Sequence, residues 1–242
     1  MERGVPAEGE EWPIPETLRV ETWTTRELSG YIWAWRGPAV KAKDLPPLPV
    51  QPVLTGLSFG ETHYTWSNHY SRCIENVLDY SHLPFVHRRT LGAFIRNPVT
   101  QVEIRPFDGG FNFYKVPNES ERQYVEFVYP TLWANRVGKN YVMTTTFVPI
   151  DDTQTEVYVR WYHNLPRFLT PLTNAIGRLS QRLVFMDDLA IVASQRPANV
   201  DYAERDHLVP SDGGVIAYRK LRRAHRDESA AWPAANKADC LD

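Results

Sequence analysis

The chain has 242 residues, of which 43% are hydrophobic and 12% aromatic, so it is long enough to bury a substantial core. Its formal net charge of -2 excludes the broad basic field that nucleic-acid-binding domains carry. No apolar run approaches the length of a membrane span, and the acidic N-terminus lacks the apolar stretch of a signal peptide, so we expect a cytoplasmic protein.

The first part of the chain predicts an arm, a strand and a connector. Residues 1–18 are rich in Glu and Pro, which favours a flexible N-terminal arm. The stretch SGYIWAWRG predicts a strand that closes in a turn at Gly37 and Pro38. The proline-rich stretch 44–52 then predicts a stiff, extended connector.

The middle of the chain predicts a short helix followed by an antiparallel sheet. The helix is expected over residues 69–82. Tight turns are expected at 108–110 and 151–152, and consecutive strands joined by tight turns pair antiparallel. The predicted strands are QVEIRP, FNFYKV, QYVEFVYP, YVMTTTFVPI and TEVYVRWYHNL.

The last third predicts a long helix, a final strand and a tail. Apolar residues recur at steps of four and three between Leu172 and Ala190, so a helix is expected over 172–195, ended by Pro197. A strand is expected at GVIAYRK, residues 214–220, and a polar, poorly ordered tail over 221–242. The order of elements predicts an α+β domain with one antiparallel sheet packed on a long helix.

One short stretch carries an acid and two imidazoles, Asp79, His82 and His87. Asp79 and His82 are three residues apart, so on a helix they share a face and the carboxylate can orient the imidazole for a metal. His87 is five residues from His82 and would point elsewhere on a regular helix. We therefore expect Pro84 to break the helix and let the two histidines converge.

Two imidazoles and one carboxylate are typical of a non-haem Fe(II) centre with open coordination positions. The long helix offers the acid in FMDDLAIVASQ, where Asp187 and Asp188 both have apolar neighbours one turn away. An ionised acid on an apolar helix surface is unfavourable unless it is paired or metal-bound. Periodicity alone does not choose between the two acids.

These residues resemble the catalytic domain of the Rieske-type non-haem iron oxygenases, the aromatic-ring-hydroxylating oxygenase alpha subunits. The family pattern Asn-x-x-Asp-x-x-His-x-x-x-x-His is matched in register by Asn76, Asp79, His82 and His87. The acidic pair at 187–188, followed by Ile191, Val192 and Gln195, resembles the family's late helix. The stretches at 30–37, 147–152 and 212–219 are similar as well, and the resemblance covers roughly residues 19–220.

The resemblance implies a fold and a set of roles. The fold is the helix-grip (Bet v1-like, START-like) architecture, with a catalytic domain over 19–220. His82, His87 and Asp188 are the implied Fe(II) ligands, and Asp187 is the neighbour of the ligand. Asp79 is implied to be the carboxylate that links the iron to an electron donor, and Asn76 is the second implied catalytic residue.

The chain departs from the family in its cysteines. The family's [2Fe–2S] domain uses Cys-x-His and Cys-x-x-His, whereas Cys73 precedes Ile74 and Glu75, and Cys240 precedes the C-terminal Leu-Asp. We therefore expect no cluster in this chain, which begins where that domain ends in the family. A separate Rieske or ferredoxin-type protein is then the expected electron donor, and a homo- or hetero-trimer is the assembly that the resemblance implies.

The resemblance implies an O₂-dependent hydroxylation, dihydroxylation or demethylation of an aromatic or apolar substrate. The alternatives are a non-catalytic helix-grip module that binds an apolar ligand or stabilises an oligomer, and a fragment of a longer oxygenase. Several aromatic side chains are candidates to line a pocket, although packing in the core explains each of them as well. They are Trp66, Phe85, Phe127, Tyr129 and Trp133.

Overall fold

The computed structural model describes residues 23–28, 30–35, 45, 48, 54, 57–95, 99–116, 123–137 and 141–236. The chain divides into two compact units, residues 1–50 and 51–242. The expected arm over 1–18, the turn at Gly37 and most of the connector lie outside the described residues. The described part of the first unit is an antiparallel hairpin of β1 (Thr25–Leu28) and β2 (Tyr31–Ala34), which matches the strand expected there.

The second unit is built on a seven-stranded antiparallel sheet with the strand order β3-β9-β8-β7-β6-β5-β4. Because β3 pairs with β9, the start of the unit is joined to the strand that leads into the long helix. The strands are β3 (Ser58–Trp66), β4 (Val102–Phe107), β5 (Gly110–Lys115), β6 (Gln123–Val128), β7 (Leu132–Val137), β8 (Tyr141–Pro149) and β9 (Thr155–His163).

Within the described residues, four α-helices accompany the sheet. They are α1 (Tyr70–Leu78), α2 (Leu83–Val86), α3 (Thr170–Ser194) and α4 (Gly213–Asn236). α1, α3 and α4 share one hydrophobic core with the sheet, in which Ile74, Phe127 and Tyr218 are fully buried. The predicted α+β class, with an antiparallel sheet and a long late helix, is confirmed. None of the helices among the described residues is both long and apolar enough to cross a membrane.

The glycines of two elements allow α3 to approach the sheet closely. A Cβ at Gly177 of α3 would lie 2.4 Å from the ring of Trp161, and one at Gly60 of β3 would lie at the same distance from it. Real Cβ atoms do not approach other heavy atoms this closely, so the indole of β9 requires a glycine on each side. Trp161 is consequently buried to 3% exposure between the sheet and the helix.

The strand predicted over 214–220 is wrong, because these residues form the first turns of α4. Val215 and Tyr218 are three residues apart and are both buried, which is helical rather than strand periodicity. A Cβ at Gly214 would lie 2.8 Å from the carbonyl oxygen of Leu78, so the glycine permits the close contact of α4 with α1.

The predicted tail is helical from 221 as far as Asn236. Arg222 anchors this part of α4, since its Nε and Nη2 donate to the two carboxylate oxygens of Asp201 at 2.9 and 2.7 Å. A bidentate arginine–carboxylate pair of this kind is among the stronger side-chain contacts. The strands β1, β3 and β7 were not predicted, and the domain bounds 19–220 remain a prediction.

We expect Asp201→Asn to lower the free energy of unfolding by about 1–3 kcal/mol at neutral pH. The hydrogen bond from Arg222 holds the pKa of Asp201 below its ordinary value of 3.8. The stabilisation is therefore present above pH 3.8 and is lost as the pH falls through the lower folded-state pKa. Urea unfolding at pH 7 and at pH 3 measures it, with Asp227→Asn, a carboxylate that is 68% exposed, as the control. An equal loss at both pH values would contradict the assignment.

Candidate metal centre

The first part of the site is the turn that ends α1. Asp79 caps this helix in an extended conformation, at φ -87° and ψ 106°, while its own N–H still donates to the carbonyl of Glu75 at 3.0 Å. Its Oδ1 accepts hydrogen bonds from the backbone N–H of Ser81 at 2.8 Å and from the Ser81 hydroxyl at 2.5 Å. An aspartate that binds the backbone two residues ahead defines a turn, so the chain leaves the helix axis here.

The expected break at Pro84 is wrong in its position. α1 has already ended at Leu78, and Pro84 lies in the first turn of α2 (Leu83–Val86), where a missing N–H removes no helical hydrogen bond. His82 is the N-cap of α2 and His87 is its C-cap. One helical turn thus separates the two histidines, and their Nε2 atoms lie 3.3 Å apart.

The long helix brings the acid to the histidines. Asp188 Oδ1 lies 2.9 Å from His87 Nε2 and 3.4 Å from His82 Nε2. The three side chains are 7%, 1% and 12% exposed for Asp188, His87 and His82, respectively. In the part of the chain that the structure describes, they are the one group of three or more histidine, cysteine or acidic residues whose ligand atoms could share a metal ion.

The donor set fits a metal. Ligand atoms about 3 Å apart match neighbouring positions around an ion with bonds of about 2.1 Å. Asp188 Oδ1 is buried and has no hydrogen-bond partner among the described residues, despite its short distances to both rings. Two imidazole nitrogens and one carboxylate are the set typical of non-haem Fe(II), and this set leaves further coordination positions open.

The electrostatics of the three groups favour a bound cation. Burial opposes the ionisation of Asp188, but the two imidazoles outweigh it and lower the pKa of the carboxyl to about 2. Burial also opposes the charging of His82, yet Asp188 and Asp79 outweigh it and raise the pKa of the imidazole to about 9. Without a metal, an imidazolium thus balances the acids, and a bound metal must replace its proton.

Each histidine has a second carboxylate near its outer nitrogen. Asp79 Oδ2 lies 3.5 Å from His82 Nδ1, and Asp187 Oδ2 lies 3.7 Å from His87 Nδ1. Burial opposes ionisation of Asp79, but the contacts with His82 and Ser81 outweigh it and lower the pKa of the acid. Acids in this position orient metal-binding imidazoles. Asp188 thus contacts the inner nitrogens of both imidazoles, whereas Asp187 lies near the outer nitrogen of His87 alone. The structure therefore distinguishes the two acids, which periodicity did not.

Asn76 lies three residues before Asp79 on α1. It is 6% exposed, and its Nδ2 has no hydrogen-bond partner among the described residues. The same is true of a group of polar atoms between the sheet and α3, and of the residues that carry them sequence reasoning named only Trp133, as a pocket aromatic. These atoms are Trp133 Nε1, Thr145 Oγ1, Trp161 Nε1 and Gln181 Oε1.

Gln181 is the clearest of these missed residues. It is 8% exposed and lies seven residues before Asp188, so two turns of α3 place both side chains on the same face of the helix. Trp133 and Thr145 are paired across β7 and β8, which puts their side chains on one face of the sheet. The spacing from Asp188 was the sequence signal for Gln181, since an amide at that position interrupts an apolar face.

The predicted pocket aromatics differ in their burial. Trp66, Phe127 and Trp133 are buried, whereas Phe85 of α2 is 69% exposed. Tyr129 stacks on His225 of α4 with ring centroids 4.2 Å apart. Trp66 also packs on Phe185 of α3, one turn from Asp188, at a centroid distance of 5.5 Å.

Comparison with known proteins places these features in a family. The model of the vanillate O-demethylase oxygenase C-terminal domain matches residues 66–228, which include all three members of the cluster. Methylxanthine N1-demethylase from Pseudomonas putida is 23% identical, over 92% of this chain and 67% of that protein.

Two solved structures share the fold. The caffeine complex of the Pseudomonas putida demethylase matches with a TM-score of 0.70 and 23% identity, over 92% of this chain and 68% of the other. Dicamba monooxygenase bound to dicamba matches with a TM-score of 0.64 and 16% identity, over 89% of this chain and 73% of the other.

We expect Gly92→Ala to weaken metal binding without touching a ligand. A Cβ at this position would lie 2.2 Å from the carbonyl oxygen of Leu83 and 2.8 Å from that of His87, both of which are backbone atoms that cannot rotate away. The turn that carries His87 must shift as a result. Metal stoichiometry after Fe(II) loading measures the effect, and Ala93→Ser on the neighbouring exposed residue is the control. Equal metal content in the two variants would contradict this account of the turn.

Proposed function

The chain belongs to the family of the vanillate O-demethylase oxygenase C-terminal domain, the catalytic domain of Rieske-type oxygenases, and we propose that it is an Fe(II)-dependent aromatic demethylase. The enzymes of this family are oxidoreductases. The observation that carries the proposal is the convergence of His82, His87 and Asp188 within 3.4 Å of one another.

In the proposed site, His82, His87 and Asp188 hold Fe(II), which supplies O₂ activation when it is bound. Asp79 and Asp187 orient the two imidazoles through their outer nitrogens. Burial of Asp188 and His87 excludes water from the ligand side, so the contacts of the charged groups are not weakened by solvent.

Demethylation is favoured over the other reactions of the family. The matched family is named for an O-demethylase, and the relative is named for an N1-demethylase, so both names describe removal of a methyl group from a heteroatom. In the proposed reaction, an N-methyl or O-methyl group, O₂, two electrons and two protons give the N–H or O–H product, formaldehyde and water. One oxygen atom goes to the methyl carbon and the other to water.

The electrons are proposed to come from a Rieske-type protein outside these 242 residues. Neither Cys73 nor Cys240 is followed by the histidine that a Rieske cluster requires. A complex of carbazole 1,9a-dioxygenase with ferredoxin is among the structures that share this fold, at a TM-score of 0.56. We propose that the donor docks near Asp79, whose side chain is 29% exposed and contacts His82.

The buried polar atoms between the sheet and α3, which lack a partner among the described residues, support a substrate with heteroatoms. Buried donors and acceptors are normally paired, so a ligand that pairs Gln181 or Trp133 binds more favourably than a hydrocarbon. The proposed substrate is accordingly a flat ring that carries a methylated nitrogen or oxygen and further hydrogen-bonding groups.

The iron assignment is tested by metal content. We expect about one iron per chain after anaerobic Fe(II) loading of the wild type, and little iron in His82→Ala, His87→Ala or Asp188→Ala. His63→Ala, which changes a histidine whose side chain is 64% exposed, is the matched control and should keep its iron. Unchanged iron content in the three variants would reject the assignment.

The reaction itself is tested by formaldehyde release. A Rieske-type donor and its reductase are supplied with caffeine, the ligand of the related structure, and formaldehyde and O₂ consumption are measured together. Iron-loaded protein that consumes no O₂ with any methylated ring tested would favour the non-catalytic, ligand-binding alternative.

We expect Gln181→Leu to weaken caffeine binding about fivefold, because one buried hydrogen bond is worth about 1 kcal/mol. The same change should raise the melting temperature of the free protein, because it removes a buried amide oxygen that has no partner among the described residues. Calorimetric titration and thermal unfolding measure the two effects, with the exposed Ser180→Ala as the control. Unchanged caffeine affinity would show that Gln181 does not face the substrate.

A further inference from the structure

The segment that carries the two histidines has a second side, which faces solvent. We call this side the α2 face, and it consists of Phe85, Arg88, Arg89 and Leu91, on α2 and the turn that follows it. Phe85 is 69% exposed, Leu91 is 37% exposed, and both arginines are exposed. His87 stands among these residues in the chain, yet it is only 1% exposed. The segment therefore turns its imidazole inward and the α2 face outward.

The charges of this part of the chain are all of one sign. The stretch 80–102 contains three arginines, at 88, 89 and 96, and no acidic residue, although the formal net charge of the whole chain is -2. Arg96 lies outside the described residues. Neither Arg88 nor Arg89 has a hydrogen bond or an ion pair within the part of the chain that the structure describes. Both guanidinium groups are therefore available to the carboxylates of a partner, which arginine binds in a bidentate geometry.

The acids closest to this segment are engaged in the candidate metal centre. Asp79 and Asp187 approach the outer nitrogens of His82 and His87 at 3.5 and 3.7 Å. Their carboxylates are thus paired with the imidazoles rather than with the arginines. The α2 face keeps its positive charge as a result.

The position of the α2 face indicates the kind of partner. The proposed reaction consumes two electrons for each methyl group, and the chain lacks the residues of a Rieske cluster, so a donor has to contact it. α2 has four residues and is about 6 Å long, and its two caps are the proposed iron ligands His82 and His87. A donor on the α2 face is thus separated from both histidines by this one turn of helix. Because electron transfer slows steeply with distance, a donor is best placed here.

The composition of the α2 face suits a small redox interface. Electron-transfer complexes bury less than about 1,200 Å² in total, so a few residues are enough to form one. Aromatic side chains and arginine are enriched at the centres of interfaces. Phe85 supplies an apolar contact, while Arg88 and Arg89 attract an acidic partner from a distance. A second copy that presented the same face would be repelled by the same arginines.

We propose that the α2 face is the docking surface for an acidic electron donor of the Rieske or ferredoxin type. This inference rests on the proposed function, because it names the partner of the same site. Each encounter oxidises the cluster of the donor by one electron, and two encounters supply the two electrons of one demethylation. One copy of the chain forms the whole surface, so docking does not depend on the number of chains in the assembly.

The arginines are tested by the rate of electron delivery. The probe is the ferredoxin of the carbazole 1,9a-dioxygenase complex, reduced in advance, and its reoxidation is followed by absorbance after mixing with iron-loaded protein, caffeine and O₂. We expect the double variant Arg88→Glu/Arg89→Glu to slow the second-order rate about tenfold at low salt and less at high salt, because electrostatic attraction is screened.

The matched control is Arg205→Glu/Arg223→Glu, which makes the same change of net charge at two exposed arginines outside α2. It should leave the rate within about twofold of the wild type. Equal rates for the two double variants would overturn the proposal. A change in the oligomeric state of Arg88→Glu/Arg89→Glu, measured by light scattering, would also overturn it, since the α2 face would then be a contact between copies.

The apolar part of the surface is tested by affinity. We expect Phe85→Ala to raise the dissociation constant of the oxidised ferredoxin about tenfold at both low and high salt, because salt does not screen an apolar contact. Calorimetric titration measures it. The control is Phe168→Ala, at a phenylalanine that is 80% exposed outside α2. Equal affinities for the two variants would overturn the assignment of the α2 face.

Two further measurements separate a failure of docking from a failure of the proposed function. Iron content should stay at about one per chain in every variant, since none of these residues is a proposed ligand. Hydrogen peroxide is equivalent to O₂ with two electrons and two protons, so it replaces the donor, and it carries no charge. Formaldehyde formed from caffeine with peroxide should be equal in the wild type and in Arg88→Glu/Arg89→Glu.

A variant that lost the peroxide-driven product would be damaged in the site itself, which would overturn the docking role of its arginines. Formaldehyde from the wild type with peroxide, together with equal donor-driven rates in the two double variants, would overturn the docking surface and leave the demethylase in place. No formaldehyde from the iron-loaded wild type with either peroxide or the donor would overturn the proposed function, and the docking with it.

Discussion

The site depends on one constraint, which is the burial of an ionised carboxylate beside two imidazoles. The side chain of Asp188 is 7% exposed, and its charge is stabilised chiefly by His82 and His87. Removing such a charge from water is unfavourable unless a cation compensates it. Three features bring this cation-binding arrangement together. They are the end of α1, the single turn of α2 and the packing of α3 on β3.

The position of the histidines is in turn supported by α4. Glu75 of α1 accepts hydrogen bonds from Arg72 at 2.7 Å and from Arg219 of α4 at 2.5 Å. Arg72 and Arg219 also contact Asp206, so both arginines are shared between two acids. Because Asp79 follows Glu75 by one helical turn and bonds to its carbonyl, this buried network fixes the place at which α1 ends.

Local patterns gave much of this architecture, and tertiary contacts decided the rest. The spacing of Asp79, His82 and His87 identified the site because the three residues lie in one stretch of chain. Pairing Asp188 with them needed the family pattern, since the two segments are about a hundred residues apart. Strand β3 was missed because GETHYT has few of the apolar residues that mark a strand. The strand predicted at 214–220 failed because Gly214 permits the close packing of α4 on Leu78 of α1, which no local pattern reveals.

The two histidines cap opposite ends of a four-residue helix, and this has a consequence for how the segment can change. Rotation along a helix is about 100° per residue, so the angle between the imidazoles depends on the number of residues in the turn, whatever those residues are. Substitution inside the turn is tolerable, as the 69% exposure of Phe85 indicates. Insertion or deletion of a single residue would instead rotate one imidazole away from the other, so the geometry of the site depends more on the length of this turn than on its composition.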